Sequence, residues 1–587
     1  MDNVINYMKR KNKKLFKDLE TSSLKISKLQ TYTPVHNEFF DLNTTNYNSV
    51  EFTNHLNIVG IKEIVTENHL LCSINNGTNE KLEDVYCKYS ALLDPFKYMI
   101  GKYNIDDNLY NLPTIDNSIN VHSKLNSIHN SSYVDSFFVY LTHHLLHKHN
   151  FIHGLQFYGN YVGIKEDLAL DVLDDIDYIT KYHFFNKNKN VLFDIPHFHL
   201  NNQFSKPVIQ IGSLKSVVSM EDLNDSDSID LEIPVVDTNL QDLEEIKEPE
   251  HDEEIKEYSP VSSSNCSSRT SYTDENAVEQ KDNTDEENDS DKEEDDEEDD
   301  EEDDEEEEKE EEKEEEEEKE EEEKEEDDDS VYTDFSNEQL LAYIKKMPVN
   351  IILMEKCKNT MDSLFTEEEL TTNEWISYIF QIIMILITYQ KTFKFTHNDL
   401  HTNNIMYQLT NIEYLYYTYD NKKYKVKTYG RIFKIIDFGR SIFTVKNKLF
   451  CSDSFDKQGD ASTQYNFPPF YNPKKKLLEP NYSFDLCRLG CSIFDFIFDD
   501  INDINNELDE FQKLIVEWCT DDKGVNILYK KTGEERYEDF KLYRMISKNV
   551  HGHIPSEQLK KPIFKKFLTT KIPNNVYHFN IDEIPEL

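Results

Sequence analysis

The sequence predicts an α+β protein whose folded part is interrupted by a long acidic insertion. Short apolar runs bounded by polar turns indicate strands, and longer stretches with apolar residues three and four apart indicate helices. Residues 285–329 contain 38 Asp or Glu and 5 Lys, so they carry −33 of the total charge of −53. Like charges at this density repel one another too strongly to permit a packed core. The rest of the 587 residues suffices for about two lobes with extensions.

The composition divides the chain into parts with different roles. These are an N-terminal extension (1–49), the first part of a small lobe (50–218), a disordered acidic insertion (219–335), the last strand of that lobe with a hinge (336–357), and a large lobe (358–587). A long isolated helix is the alternative for the insertion, but its few Lys would make few i,i+4 ion pairs. A disordered loop of this length is tolerated, since closure entropy grows slowly with length. We expect the insertion to attract basic proteins.

A hairpin is predicted in the first part from two apolar runs, 70–74 and 85–89. The Asn-Gly dipeptide between them is a strong turn signal, and Lys88 lies on the second strand. Asn130 is expected to cap a helix with a spaced apolar face, on which Asp135 is the only acid. Another strand is expected within the residues that follow this helix.

The large lobe begins with a predicted helix from Glu374 to about Lys391, capped by Asn373. It is apolar on most sides, as expected of a helix buried in a core. Its end leads to the first of two polar motifs. The apolar run 432–436 predicts a buried strand that ends at the second motif.

The two motifs supply the parts of a phosphoryl-transfer site. They are His397-Asn398-Asp399-Leu400-His401-Thr402-Asn403-Asn404 and Asp437-Phe438-Gly439. In that chemistry one carboxylate accepts or orients the proton of the attacking hydroxyl, while a second carboxylate and an amide oxygen hold Mg²⁺. Asp399, Asp437 and Asn404 match these roles in order, and Asn404 follows Asp399 by five residues, so both can face one pocket. Two unrelated acidic loops are the alternative.

These motifs resemble those of the eukaryotic-type protein kinase superfamily over most of residues 50–580, apart from the insertion. Residues 482–490 resemble the kinase helix whose buried Asp holds the catalytic loop, a role that would fall to Asp485; an ordinary helix cap is the alternative. Residues 349–357 resemble the last small-lobe strand and hinge. The composition, rich in Asn, Lys, Ile and Tyr, is also similar to that of serine/threonine kinases of giant DNA viruses.

The resemblance implies a two-lobed fold and ATP-dependent transfer of phosphate to a protein hydroxyl, that of serine or threonine. The implied cofactors are ATP and Mg²⁺. Asp399, His401 and Asn404 would be the catalytic residues, and Asn404 and Asp437 would hold the metal.

The resemblance also implies the residues that bind the nucleotide. Lys88 would hold its phosphates, with Asp135 as the helix carboxylate that positions this lysine. Met354 would lie at the rear of the adenine pocket, and the backbone from Glu355 to Cys357 would form the adenine edge.

Four departures from the kinase pattern keep other functions open. Glycine-rich phosphate covering is absent before Lys88, Asn398 replaces an Arg, and Phe467–Phe470 lacks the expected Glu. His401 stands where serine/threonine kinases have a Lys and tyrosine kinases an Ala, so this position leaves the acceptor class, serine/threonine or tyrosine, open. A small-molecule phosphotransferase of the aminoglycoside or choline kinase type is one alternative, because it shares the motif His-x-Asp-Leu-His-x-x-Asn. An inactive scaffold that binds basic partners through the acidic insertion is another.

Composition also limits the partners and the compartment. The eight Cys show no Cys-x-x-Cys pairing, the N-terminus lacks a signal-peptide core, and the apolar run 376–389 is short and interrupted by polar residues. We expect an intracellular protein, in host cytoplasm or virion if it is viral, with a protein substrate and without membrane or nucleic-acid partners. The histidines at 143–153 could suggest zinc, although a polar helix face is the simpler interpretation.

Overall fold

The computed structural model describes residues 5–53, 56–77, 79–116, 119–173, 175–196, 340–498, 500–537 and 540–587. Both helices and strands occur through this part of the chain, which confirms the predicted mixture of α and β structure. The acidic insertion predicted at 219–335 lies outside the described residues.

The described strands are β1 (Tyr7–Lys9), β2 (Ile26–Gln30), β3 (Val50–Phe52), β4 (Asn57–Ile64), β5 (His69–Asn75), β6 (Glu80–Ala91), β7 (Phe157–Lys165), β8 (Leu168–Asp171), β9 (Phe193–Asp194), β10 (Leu341–Ile344), β11 (Met347–Glu355), β12 (Asn359–Thr360), β13 (Ile405–Leu409), β14 (Tyr414–Tyr419), β15 (Lys422–Lys427), β16 (Arg431–Ile435), β17 (Ile442–Val445), β18 (Lys448–Cys451), β19 (Leu568–Thr569) and β20 (His578–Asn580).

The described α-helices are α1 (Lys13–Glu20), α2 (Pro95–Met99), α3 (Ser123–Asn126), α4 (Ser131–His149), α5 (Ile176–Ile179), α6 (His183–Asn188), α7 (Met361–Glu367), α8 (Thr372–Phe393), α9 (Phe484–Ile497), α10 (Glu510–Trp518), α11 (Lys541–Asn549), α12 (Pro555–Gln558) and α13 (Pro562–Lys565).

A curled six-stranded sheet forms one side of the molecule, with the order β2-β7-β11-β6-β5-β4 and antiparallel neighbours throughout. The predicted hairpin is confirmed as β5 and β6, and Gly77 turns the chain between them with a φ of 88°. Such a left-handed conformation carries little steric cost only for glycine. Lys88 therefore lies on a central strand, opposite Ile352 of β11.

The N-terminal boundary at residue 50 needs correction. Within residues 1–49, β2 pairs with β7 and is an edge strand of the six-stranded sheet, and α1 packs against β2 and β4 through the buried Leu15 and Leu19. These residues are therefore part of the sheet rather than an extension. The strand was missed because β2 is short and half polar, so it lacks a clear alternation of apolar residues.

The last strand before the hinge is also more complex than predicted. Two strands occur there, and only β11 belongs to the large sheet. β10 pairs instead with β8 and β9 in a separate three-stranded sheet. Both flanks of the segment 197–339 therefore lead into or out of this small sheet, since β9 ends at Asp194 and β10 begins at Leu341.

Helix α4 covers the large sheet and begins where the sequence predicts. The Asn130 side chain accepts a hydrogen bond from the Ser132 N–H, and it donates another to the carbonyl of Leu92. The helix is buried over most of its length, and the Asn350 amide of β11 donates to the carbonyl of Ser132. Helix and strand are thus joined at the end nearest Lys88 and Asp135.

Helix α8 is the core of the second part of the molecule, but its start differs from the prediction. Thr371, rather than Asn373, is the cap, and it forms a reciprocal capping box with Glu374. A threonine followed three residues later by glutamate satisfies two free N–H groups, whereas Asn373 lies inside the helix and accepts from Lys566. Among the described residues, α8 is long and apolar enough to cross a membrane, yet 94% of its apolar window is buried inside the protein.

Candidate functional site

The loop from His397 to Asn404 is held by hydrogen bonds to α9. The carboxylate of Asp485 accepts hydrogen bonds from the N–H of His397 at 2.9 Å and of Asn398 at 2.9 Å. Asn398 needs this support because its φ of 63° is left-handed, a conformation that few non-glycine residues adopt. Burial raises the pKa of Asp485, while these hydrogen bonds oppose the rise. Asp485 is not the cap of α9, since the cap is Ser483 and Asp485 lies inside the first helical turn. Its carboxylate is used to hold the 397–404 loop instead.

A second set of contacts joins this loop to the strand β16 and its polar end. The N–H of Ile436 donates to the carbonyl of Asn404 at 3.0 Å, and His397 Nε2 lies 2.9 Å from the carbonyl of Ile436. Asn404 Nδ2 donates to the backbone oxygen of Asp399 at 2.9 Å. Because the amide nitrogen of Asn404 is used for this bond, its oxygen is the atom that suits a cation. These contacts bring Asn404 close to the end of β16, where Asp437 follows Ile436.

Lys88 lies between two carboxylates. Its Nζ is 2.7 Å from Asp135 Oδ2 and 3.0 Å from Asp437 Oδ1. The other oxygen of Asp135 accepts a hydrogen bond from the N–H of Phe438 at 2.9 Å. The predicted contact between Lys88 and Asp135 is therefore present, and the Asp-Phe-Gly motif is tied to both. Asp437 has a φ of 60°, so its backbone is held in a left-handed conformation at this point.

Negative charge exceeds positive charge around Lys88, because this one lysine pairs with two carboxylates, those of Asp135 and Asp437. Burial alone would lower the pKa of Lys88, but Asp135 and Asp437 outweigh it and hold that pKa above its usual range. Burial raises the pKa of Asp135, and the nearby Asp437 adds to the rise, while Lys88 opposes it. An additional cation at Asp437 would relieve the repulsion between the two acids.

Asp399 lies in different surroundings. Tyr543 Oη donates to Asp399 Oδ1 at 2.7 Å, and Arg440 Nη1 lies 3.8 Å from the same oxygen. Arg440 also pairs with Asp460 at 2.6 Å. Burial alone would raise the pKa of Asp399, but Arg440, His401 and Arg488, with the hydrogen bond from Tyr543, outweigh it and lower the pKa to about 2. Asp399 is thus ionised at neutral pH.

His401, predicted to be catalytic, lies against Asn404 with 3.0 Å between His401 Nε2 and Asn404 Nδ2. Burial chiefly lowers the pKa of His401 to about 4, and Asp399 only partly opposes this. The ring is therefore neutral at physiological pH. His401 therefore lowers the pKa of Asp399 only at acidic pH, where its ring is charged. At physiological pH the cations beside Asp399 are Arg440 and Arg488, and His401 contacts the amide of Asn404.

The predicted adenine edge follows β11. Met354 is buried, and it is paired across the sheet with Tyr86 and Phe157. The carboxylate of Glu355 accepts from the N–H of Gln156 at 2.7 Å and from Lys434 Nζ at 2.6 Å. Its side chain therefore joins β11 to β16 and to the loop after α4. The N–H of Glu355 donates to the carbonyl of Gln156 at 2.9 Å, so this N–H is not available to adenine. Cys357 is also buried, which raises the pKa of its thiol.

The hairpin that would cover phosphates is formed by β4 and β5. Their connection, residues 65–68, contains no glycine, and it is held by the Asn68 side chain, which donates to the carbonyl of Cys87 at 2.8 Å. Gly60 lies within β4 and Gly77 lies in the next turn, so neither is at the tip. The backbone of this tip is therefore fixed by side-chain contacts to β6.

The segment after the Asp-Phe-Gly motif contacts the start of α4. Asp453 Oδ1 accepts from the Ser131 N–H at 3.0 Å, and its other oxygen is 2.7 Å from Lys124 Nζ. The N–H of Asp453 donates to the carbonyl of His129. Because α4 also holds Asp135, these contacts link the position of this segment to the ion pair of Lys88.

Sequence reasoning missed the residues around Asp399. Arg440 directly follows the Asp-Phe-Gly motif. Arg488 follows Asp485 by three residues, so Asp485 and Arg488 lie on one face of α9. These two could have been found by proximity to the motifs. Tyr543 belongs to α11 and lies 144 residues after Asp399, without a motif around it. Only the fold brings it to the site.

The oxygen donors of the site suit Mg²⁺. Within the described ranges, no group of three or more His, Cys, Asp or Glu side chains could hold a metal ion. Mg²⁺ in nucleotide sites needs only one or two protein oxygens, because phosphates and water complete its shell. Asp437 and Asn404 supply one carboxylate and one amide oxygen, and the group around Lys88 is short of positive charge. The histidines at 143–153, all within the described residues, do not form the suggested zinc site, and His153, which follows α4, contacts Phe433 and Tyr417.

Neither the protein-family models nor the curated proteins contain a match to this chain.

Proposed function

We propose that this protein is an ATP-dependent protein kinase with the two-lobed kinase fold, which transfers phosphate to a serine or threonine hydroxyl. One observation carries the proposal. The residues that phosphoryl transfer requires come from five separate elements, β6, α4, the 397–404 loop, the end of β16 and α9, and their polar groups meet at one edge. A chance pair of acidic loops would not be expected to form these contacts.

Each residue has a role that its surroundings support. Lys88, held by Asp135, would contact the nucleotide phosphates. Asp437 and Asn404 would hold Mg²⁺, which neutralises charge that develops on the transferred phosphoryl group when it is bound. Asp399 would accept the hydrogen bond of the acceptor hydroxyl and orient it. With a pKa of about 2, Asp399 suits orientation better than extensive proton removal.

The fold also supports a way to order the segment after the Asp-Phe-Gly motif without the arginine that kinases have at the position of Asn398. No cation occurs at Asn398, whose amide nitrogen donates to the carbonyl of Arg440 at 3.0 Å. Asp460, itself a carboxylate, pairs with Arg440 in the segment where a kinase phosphate would bind an arginine. We therefore propose that the segment is ordered without phosphorylation.

Phosphotransfer from labelled ATP tests the proposal. Purified protein is incubated with Mg²⁺ and either a mixed protein substrate or a panel of aminoglycosides and choline, beside its Asp399→Ala form. Label on protein serine or threonine, absent with Asp399→Ala, is the expected result. Label on the small molecules alone would indicate a small-molecule phosphotransferase. Label on neither, with intact folding, would favour the inactive scaffold.

A further inference from the structure

We propose that Tyr543 is a positioning residue that fixes one oxygen of Asp399, so that the other oxygen faces the acceptor hydroxyl. This inference rests on the proposed kinase function. It concerns a residue of α11, far from either polar motif in the sequence. Its hydroxyl nevertheless lies 2.7 Å from Asp399 Oδ1.

The direction of this hydrogen bond is set by a third residue. Arg488 Nε lies 3.0 Å from Tyr543 Oη, and a guanidinium can only donate. The hydroxyl of Tyr543 therefore accepts from Arg488, and its own proton is directed to Asp399. The carboxylate of Asp399 accepts a hydrogen bond from this hydroxyl, and the proton stays on Tyr543, because burial raises the pKa of Tyr543 above its usual range. The result is a chain of two hydrogen bonds from α9 through α11 to the 397–404 loop.

Packing holds Tyr543 in this place. Its ring is stacked on Phe540 with 5.0 Å between centroids and 12° between planes, and only 3% of the residue is exposed. The guanidinium of Arg440 lies 5.5 Å from the centroid of the same ring. A buried ring that is stacked on a neighbour and lies beside a guanidinium cannot rotate away at low cost, so the position of its hydroxyl is set before a substrate arrives.

Fixing one oxygen matters because the last torsion of an aspartate side chain is soft. Its carboxylate can rotate broadly about this bond unless contacts restrain it. Transfer requires the acceptor oxygen to be held within close, aligned reach of the phosphorus, and small misplacements are costly. With Oδ1 occupied by Tyr543, the acceptor hydroxyl is directed to Oδ2. The contact thus affects the chemical step, whereas ATP is bound by other residues.

The test compares Tyr543→Phe with Tyr529→Phe. Tyr529 is a matched control, because its hydroxyl likewise donates to an aspartate, Asp495, at 2.6 Å, and neither residue belongs to the proposed site. Loss of a hydrogen bond to a charged group predicts that Tyr543→Phe lowers kcat about 10- to 100-fold. The KM for ATP should stay within about twofold, as expected when an interaction acts mainly in the transition state. Tyr529→Phe should leave both values unchanged.

A double variant distinguishes positioning from general destabilisation. In the Asp399→Asn protein, Tyr543→Phe should cause almost no further loss of turnover, because both changes act through one contact. A kcat within twofold of wild type for Tyr543→Phe, an increase in kcat, or losses that add in the double variant would each overturn the inference. If Tyr543→Phe is poorly folded, Arg488→Met removes the donor that orients the hydroxyl, and combining it with Asp399→Asn gives the corresponding test of coupling. An inactive wild-type protein would instead reject the proposed function itself.

Discussion

Asp135 and Asp399 are both buried acids of the candidate site, but the two regions around them have opposite electrostatics. Asp135 shares a single lysine with a second carboxylate, and burial raises its pKa. Burial alone would raise the pKa of Asp399, but Arg440, His401 and Arg488, with the hydrogen bond from Tyr543, outweigh it and lower the pKa to about 2. The same residue type therefore has opposite protonation tendencies, set by the ratio of nearby cations to carboxylates.

This difference indicates a division of labour between the two regions. Around Lys88 the carboxylates outnumber the cations, so the region gains from a further cation, as Mg²⁺ with a nucleotide would provide. Around Asp399 two cations, Arg440 and Arg488, lower its pKa, although the carboxylates of Asp460 and Asp485 are also close. The proposed kinase would hold the nucleotide in the first region and the acceptor in the second.

The largest expected effect separates the two regions directly. Asp399→Asn should lower kcat by about 10²- to 10⁴-fold, the usual contribution of a positioned acid or base, with little change in the Kd for Mg²⁺-ATP. Asp437→Asn should instead weaken Mg²⁺-ATP binding at least about tenfold, which is ~1.4 kcal/mol, because it removes a metal ligand. Nucleotide titration and steady-state kinetics measure both quantities. Activity of either variant within twofold of wild type would contradict the assignment.

A second experiment removes the ion pairs of Lys88. Lys88→Met removes the cation and leaves Asp135 and Asp437 facing each other, so it should lower the free energy of unfolding by about 3–5 kcal/mol as well as turnover. Asp135→Asn removes one of the repelling acids and should destabilise less. The double variant should be more stable than Lys88→Met alone, a strong departure from additivity. Denaturant unfolding and turnover check this, and simple addition of the two losses would remove Asp135 from the proposed pair.

The sequence was informative where local signals determine structure. The β5–β6 hairpin followed from an Asn-Gly turn and α4 from an Asn cap, because both depend on residues close in sequence. Strand β2 was missed since its pairing partner, β7, begins more than a hundred residues later. In the site, Asp399, Asn404 and Asp437 were found from spacing, whereas Tyr543 is brought there only by the packing of α11. The catalytic role predicted for His401 stays a prediction, and its lowered pKa of about 4 means that the ring would act in its neutral form.

A smaller effect is expected from the pair between Arg440 and Asp460. Asp460→Asn frees the guanidinium, which now lies 3.8 Å from Asp399, to approach that carboxylate more closely and compete with the acceptor. We expect kcat to fall by roughly 3- to 10-fold, since the change alters a hydrogen bond to a charged group without removing Asp399. Asp167→Asn is the control, because its exposed pair with Lys25 should contribute little. Equal turnover of the two variants would show that Asp460 does not act on Asp399.

The smallest effect on catalysis is expected from deleting the acidic insertion, residues 219–335, and joining its flanks with a short Gly/Ser linker. The composition of this segment predicts disorder, and a segment of that kind would bury little surface, so the melting temperature and ATP turnover should stay nearly unchanged. Binding to a basic protein such as histone should fall. In the intact protein this binding should weaken steeply with salt, since exposed charges are screened within about 8 Å at physiological ionic strength. Histone binding that survives the deletion would assign the basic partner to another surface, and an insoluble deletion variant would show that the insertion contributes to folding.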